Sequence, residues 1–410
     1  MSGDVAELVR PVDAVPVGWR QTTLGGALAK SEGGGTPPRD VEAYWNGDIP
    51  WASVKDVVKG EGSTPEETIT PTGLTNSTSK LIPAGTNIFA ARMGVGAVVR
   101  YPFPVAINQD LMALTPSPAL DPGYLFYWLQ ARKEAFVAVA TGTTVKGIRK
   151  DVLFSFPMEL PPLHEQRRIA EVLRSVDDAI AATQRVMQAE AAVRQLALDA
   201  MIQRVLDDPE TEVRPLSDIA EVRTGLAKNK NRVGPKVHVP YLRVANVQDG
   251  WFDLADMQDI EVDPNQIDRY LLQAGDVLLT EGGDYDKLGR GGVWHGQITP
   301  CLHQNHVFCV RPQTSALQPA YFALATQSAW GRAYFLTCAK RTTNLASINS
   351  SQLRAFPVPV VPIPVQTALI EEVAAIDAMI DLEERELETL LRVRTEVSSD
   401  LLSGRVRVPA

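Results

Sequence analysis

The sequence predicts an α+β fold: two globular modules at opposite ends of a central antiparallel two-helix coiled coil, related as the halves of a pseudo-two-fold internal repeat. Three observations predict it. Short motifs recur in the same order at a spacing near 200 residues. Two long stretches free of glycine and proline carry matching heptad ladders. The segments between them consist of short apolar runs punctuated by turn residues.

A chain of 410 residues suits two or three domains. Its 45% hydrophobic and 22% charged content excludes wholesale disorder. No apolar run reaches the length of about 18 residues that spans a bilayer, so no membrane segment is expected. Residues 1–15 are mixed and charged, so no secretory signal is expected either. Three cysteines do not make a disulfide scaffold and fit a reducing, cytoplasmic setting. The net charge of -9 argues at first sight against a nucleic-acid partner. The charge is unevenly placed, however. Residues 1–158 carry 14 Lys+Arg against 15 Asp+Glu, and residues 213–357 carry 15 against 13. Residues 159–212 carry 6 against 11, and residues 358–410 carry 5 against 10. The acidity therefore sits in the two long stretches, and a near-neutral module can still bind phosphate through one basic face.

The repeat shows in five places. Ile49-Pro50-Trp51 answers Val239-Pro240-Tyr241, and Leu81–Gly85 answers Leu271–Gly275, both 190 apart. Asn108-Gln109 answers His303-Gln304 at 195, Tyr124-Leu125-Phe126 answers Tyr321-Phe322-Ala323 at 197, and Phe156-Pro157 answers Phe356-Pro357 at 200. The slow drift is what small loop insertions produce, the visible one setting 92–96 against the longer Gly-rich stretch 282–292. The divisions that follow are a first module over 1–158, a first helix over 159–206, a linker and second module over 207–357, and a second helix with tail over 358–410.

Residues 163–206 and 365–403 contain no glycine or proline and are rich in helix formers. Prolines before each start and Gly404 after the second are the expected punctuation. In the second stretch the ladder runs Leu369, Val373, Ile376, Ile380, Glu383, Leu387, Leu390, Arg394, Val397 and Leu401. Subtracting 200 gives Ile169, Leu173, Val176, Ile180, Thr183, Met187, Glu190, Arg194, Ala197 and Met201. Each seam's simplest partner is the other. A local two-fold makes the pair antiparallel and brings the end of the chain near the start of the first module.

The modules read as β-rich. Strands are expected over Asn87–Ala91, Ala97–Tyr101 and Leu111–Leu114, and over Val277–Thr280, Gly291–His295 and Val307–Arg311. Each module then has one helical stretch, Pro122–Ala140 and Pro319–Thr337, against a twisted, partly barrelled sheet.

Catalytic motifs of the common nucleic-acid enzymes are missing. There is no Asn/Asp-Pro-Pro-aromatic loop, no Gly-rich strand-to-helix turn for a nucleotide-like cofactor, no G-x-x-x-x-G-K-[ST] loop and no G-x-S-x-G. Cys301, His303, His306 and Cys309 fall within nine residues, but an extended run would split them between two faces. The favoured reading is an ordinary half-buried strand without metal.

Basic residues gather in loops at matching places. Module 1 offers Thr36, Lys55, Arg92, Thr143, Thr144, Lys146 and Arg149. Module 2 offers Lys228, Lys230, Arg232, Lys236, Arg243, Lys287, Arg290, Lys340, Arg341, Thr343 and Asn344. Hydroxyl, backbone N–H and cation together suit phosphate, and Arg, Lys, Asn and Gln can read base edges. DNA binding is the expectation. An enzyme with degenerate methyltransferase or nuclease motifs, and a coiled-coil adaptor that does not touch DNA, remain as alternatives.

At this point the residues resemble a family, the specificity subunits of type I restriction–modification systems. The resemblance rests on Val15–Trp19 opening module 1, on Pro161-Pro162-Leu163-His164-Glu165-Gln166-Arg167-Arg168-Ile169-Ala170 opening helix 1, and on Leu401–Val406 closing helix 2. It spans nearly the whole chain. It implies that each module is a target-recognition domain for one half of a bipartite, asymmetric site in double-stranded DNA. It implies that the helices fix the unread spacer and dock two methyltransferase subunits, joined by motor-nuclease subunits. The chain would then be non-catalytic and hold no cofactor or metal, with S-adenosylmethionine, ATP and magnesium on its partners. The resemblance places subunit contact at the helix starts, at Glu165, Gln166, Arg167 and Gln366. The second copy, Pro362-Ile363-Pro364-Val365-Gln366, lacks the Glu, which implies a somewhat different contact there.

Overall fold

The computed structural model describes residues 15–60, 64–142, 145–227, 235–283, 288–341 and 346–408. The chain divides into two compact units, Met1–Gln184 with Glu386–Ala410, and Arg185–Arg385. Each unit holds one module together with a stretch of both long helices.

In the first unit a four-stranded antiparallel sheet runs in the order Leu28–Gly33, Leu111–Pro116, Asn87–Ala90, Val98–Val99. A second sheet runs Glu67–Ile69, Trp45–Ala52, Val105–Ile107, Lys80–Ile82, with Trp45–Ala52 parallel to Val105–Ile107. A two-stranded pair, Arg20–Thr23 with Pro157–Leu160, closes the module where the first long helix begins. The second unit repeats the plan. Its four-stranded sheet runs Ala220–Thr224, Val307–Pro312, Val277–Thr280, Gly291–Val293. Its second sheet sets Val237–Leu242 antiparallel to Gln258–Val262 and parallel to Leu302–His303. Glu212–Pro215 pairs with Pro357–Val360. The predicted strands thus lie in sheets, but each module has two separate main sheets in place of one partly barrelled sheet.

The backbone corrects one register. Asn108 N donates to Ala52 O at 3.0 Å, and Gln304 N donates to Leu242 O at 2.8 Å. Asn108 therefore corresponds to Gln304, one residue on from the sequence pairing with His303. Glycine explains why this crossing recurs. A Cβ at Gly34 would lie 2.0 Å from Ile107 O, and one at Gly225 would lie 2.1 Å from His303 O. At both places one backbone passes so close to another that only hydrogen fits.

The single helical stretch expected in each module is two short helices. Pro122–Ala131 and Lys133–Val139 break at Arg132, whose guanidinium turns to Glu159 at 3.3 Å and over the Trp128 ring. Pro319–Gln327 and Ala329–Cys338 break at Ser328, whose hydroxyl caps the second helix by accepting from Gly331 N at 3.2 Å. The first helix of each pair is tied down alike. Tyr124 Oη donates to Glu159 O at 3.1 Å, and Tyr321 Oη donates to Pro359 O at 2.8 Å. Both tyrosines are fully buried, so an unmet hydroxyl would cost about 1–3 kcal/mol.

The long helices span Leu163–Asp207 and Ile363–Ser403. The second starts earlier than expected and takes Pro364 into its first turn, where a missing N–H leaves no bond unmade. Gly404, at φ 69°, ends it. Every rung of both predicted ladders is buried or half-buried. Within each unit the two stretches run antiparallel. In the first, Glu165 pairs with Arg407 at 2.6 Å and Asp177 with Arg394 at 3.1 Å. In the second, Arg194 pairs with Asp377, and Arg204 with Glu372 at 2.9 Å. The two ladder arginines do the same thing. Arg394 reaches Asp177 and then Gln130 of its module; Arg194 reaches Asp377 and then Gln327 of its module. As expected, the tail returns to the start of the first module: Arg407 Nη1 donates to Val17 O at 2.9 Å.

His303 gives the second unit a pH dependence. Its ring is 1% exposed, and Nδ1 lies 2.7 Å from Val307 O, a carbonyl that can only accept, so Nδ1 carries the proton. Burial pulls its pKa down from 6.5 to about 4. Above pH 6.5 the ring is neutral folded and unfolded, and nothing is lost. Between there and about 4 only the unfolded chain takes the proton, so stability falls with pH, by about 2 kcal/mol at pH 5. Urea unfolding at pH 7 and pH 5 should show this loss in the wild type and a flatter dependence in His303→Gln. Parallel profiles would exclude His303 as the source.

Candidate nucleic-acid interface

The edge of each module where basic residues meet is built by backbone bonding. In the first module, Ala91 N donates to Asp110 O and Ile148 N donates to Ala91 O, both at 2.9 Å. Arg92 bridges Gly147, and Met93 N donates to Lys146 O at 3.0 Å. This brings Arg92 and Lys146, distant in sequence, to one exposed edge. In the second module, Glu281 N donates to His306 O and Ile348 N donates to Glu281 O, again at 2.9 Å. Gly282 and Gly283 pair with Ser347 and Ala346, which pair in turn with Lys340 and Arg341. A cleft of about 440 Å³ opens here, lined by Val244, Glu281, Gly282, Gly283, His306, Lys340, Ala346 and Ser347.

Among the other predicted residues, Thr36 is half-buried and donates to Gln109 Oε1. Lys55 is exposed in the first turn of the helix Val54–Lys59. Arg149 is exposed and pairs with Asp151 at 2.6 Å, and Lys236 pairs with Glu261 at 2.9 Å. Arg290 is half-buried and lines a different cavity, with Trp251 and Arg332. Arg243 is half-buried. Its Nη2 donates to Asp256, at 2.7 Å to the carbonyl and 2.8 Å to the carboxylate, and so braces the loop that follows. Thr143, Thr144, Lys228, Lys230, Arg232, Lys287, Thr343 and Asn344 lie outside the described residues, as does the side chain of Arg341.

The cysteine–histidine run is dispersed. Cys301 and Cys309 are buried in an apolar cluster, His303 is spent on Val307, and His306 faces Glu281. Burial pushes the Cys301 thiol up to about 12. Among the described residues no three His, Cys, Asp or Glu side chains converge as metal ligands would.

The helix starts require a correction. Glu165, Gln166 and Gln366 are 3%, 0% and 0% exposed, so they cannot present themselves to another subunit. Gln166 Oε1 accepts from Asp121 N at 2.7 Å, while Nε2 donates to Ala119 O at 2.9 Å and Pro161 O at 2.8 Å. Gln366 Oε1 accepts from Gln318 N at 2.8 Å, while Nε2 donates to Ala316 O at 2.9 Å and Val361 O at 2.8 Å. The same three bonds fasten each helix to its module. Glu165 accepts from Trp19 Nε1 at 3.1 Å and from Arg407, locking the tail to the first module. Its counterpart Val365 is exposed, so the second copy has no such lock. Only Arg167 stays exposed, 4.0 Å from Asp121.

Sequence reasoning did not assign Asp110, Glu281 or His306 to the basic edge. The available signal was position: each stands at the end of a strand whose counterpart aligns across the repeat.

Two copies of one α+β frame, each fastened to both long helices, define a duplicated two-module protein. The model of the type I restriction modification DNA specificity domain matches residues 16–190 and 209–392, and the chain belongs to that family. The Escherichia coli type I restriction enzyme EcoR124I/EcoR124II specificity subunit is 32% identical over 161 residues, 37% of this chain and 39% of that relative's length. The EcoKI specificity subunit of Escherichia coli strain K12 is 22% identical over 386 residues, 88% of this chain and 82% of the relative. The crystal structure of the type I S subunit from M. genitalium shares the fold, with a TM-score of 0.53 at 15% identity over 96% of this chain and 98% of that one.

The matched bonding of the two glutamines predicts matched costs. Gln166→Ala and Gln366→Ala each leave buried backbone groups unmet and should each destabilise their own unit by about 2–3 kcal/mol. Urea denaturation checks this; a loss for one substitution and none for the other would contradict the equivalence.

Proposed function

We propose that the chain is the DNA sequence-specificity subunit of a type I restriction–modification complex. Each module reads one half of a bipartite, asymmetric double-stranded target. The helix pair sets the unread gap and docks two methyltransferase subunits, to which motor-nuclease subunits add. The observation that carries this reading is the duplication itself: one backbone frame occurs twice, with different side chains at its exposed basic edge. A frame preserved in bonding and varied at the edge suits two readers of different sequences.

The subunit is itself non-catalytic, and S-adenosylmethionine, ATP and magnesium belong to its partners. It works in the cytoplasm; among the described residues no helix is long and apolar enough to cross a membrane. Docking of partner subunits falls on the exposed apolar side chains of the long helices, in place of the buried residues at their starts. Leu196 is 70% and Leu382 64% exposed, on helices whose seam positions are otherwise covered. Exposed apolar groups so placed suit protein partners.

Three outcomes test the reading. Deleting one heptad from each long helix, between the two Arg–Asp pairs, should shorten the preferred gap by about 10 Å, or about three base pairs. An unchanged gap in the methylated sites would reject the ruler. Lys146→Ala with Arg149→Ala should weaken recognition of the first half-site and leave the second intact, as read by binding to duplexes altered in one half. Equal loss at both would contradict independent modules. Purified chain with S-adenosylmethionine and DNA should transfer no methyl group; transfer would favour an enzyme.

A further inference from the structure

The bonding that forms the basic edge carries one facing side-chain pair at that edge in each module. In the first, Arg92 leaves the strand Asn87–Ala90 and pairs with Asp110, which enters the strand Leu111–Pro116, at 3.4 Å. In the second, Glu281 leaves the strand Val277–Thr280, and His306 enters the strand Val307–Pro312; Glu281 Oε2 and His306 Nδ1 are 2.5 Å apart. The frame beneath is the same, and in it Ala91 answers Glu281, so Arg92 stands one residue on from the matching position. Ala91 and Glu281 each donate across to the residue before the next strand and each accept from the returning basic segment, all at 2.9 Å. Above that frame the chemistry differs: a guanidinium on a carboxylate in one module, a carboxylate beside an imidazole in the other.

We propose that this pair is the base-reading dyad of each module, and that in the second module the Glu281 carboxylate, positioned by His306, accepts a hydrogen bond from the exocyclic amino group of a cytosine. The proposal rests on the DNA-reading function argued above. A carboxylate is repelled by phosphate and by the guanine O6 and N7 acceptors, whereas cytosine N4 is the donor it fits in the major groove. Access is open. Gly282 and Gly283 follow Glu281 without side chains, and a Cβ at Gly283 would meet nothing within 4 Å. Lys340, lining the same cleft, supplies a cation for the flanking phosphate. In the first module the guanidinium, one residue further along the frame, reads the complementary chemistry. Arg92, 55% exposed and steadied by Asp110, donates to guanine O6 and N7.

The test is selection of duplexes from a randomised pool by the purified full chain. Wild type should enrich a two-part motif; if it enriches none, the DNA-reading function itself fails, and this proposal with it. Glu281→Gln should lower cytosine enrichment roughly tenfold or more at one position of one half and leave the other half unchanged. His306→Asn should keep the same preferred base at that position with weaker discrimination, which a merely structural residue would not confine to one position. A two-part motif identical in wild type and Glu281→Gln would overturn the dyad alone. Should Glu281→Gln not fold, Arg92→Gln decides in the same way: loss of guanine at one position of the other half supports the dyad, and an unchanged motif overturns it.

Discussion

Two half-buried ion pairs between the long helices organise everything else. Arg394 with Asp177, and Arg194 with Asp377, put a charge on a seam whose neighbours are mostly apolar. Half-exposed pairs of this kind contribute little stability on their own, about 1 kcal/mol or less. Their value is register. A slip by one heptad, about 10 Å, would carry each guanidinium out of reach of its carboxylate, so the polar rung fixes how the antiparallel stretches meet. Each arginine then continues to a glutamine of its own module, Gln130 or Gln327. Helix register and module placement are thereby set by one side chain in each unit.

The glutamines at the helix starts complete the fastening. Gln166 and Gln366 are wholly buried, and each satisfies both ends of its amide on backbone groups of the segment before it. Since a buried amide is stable only when so satisfied, the helix cannot pivot without breaking several bonds at once. A joint of this kind is what the proposed spacer role requires of each unit. The modules are free to vary only where they do not touch the joint, which is the basic edge. Conserved bonding and divergent chemistry thus occupy different ends of the same frame within this one chain.

Much of this architecture was legible in the residues. Both ladders, including the shared arginine rung, follow from heptad spacing alone, and every rung is shielded. The repeat gave the matched strands and the return of the tail toward Trp19. Four things were not legible. The pairing of Asn108 came out one residue early, because an offset drifting through loop insertions cannot be fixed by two-residue motifs. The helix breaks at Arg132 and Ser328 depend on tertiary partners, Glu159 and Trp128 in the first case, that periodicity does not contain. Glu165 and Gln166 were expected to be subunit contacts on the resemblance alone, which holds no packing information; neighbouring backbone and Arg407 cover them. The facing of Glu281 and His306 likewise needed the strand register, since 25 residues separate them in the chain.

The central claim is that two interchangeable frames carry two independent readers. It is tested most directly by exchanging the modules, residues 20–160 for residues 212–360, and mapping the DNA sites the exchanged protein recognises with its methyltransferase partners. The account predicts the same two half-sites in reversed order with the gap unchanged. A target that loses either half-site, or keeps the original order, would contradict it.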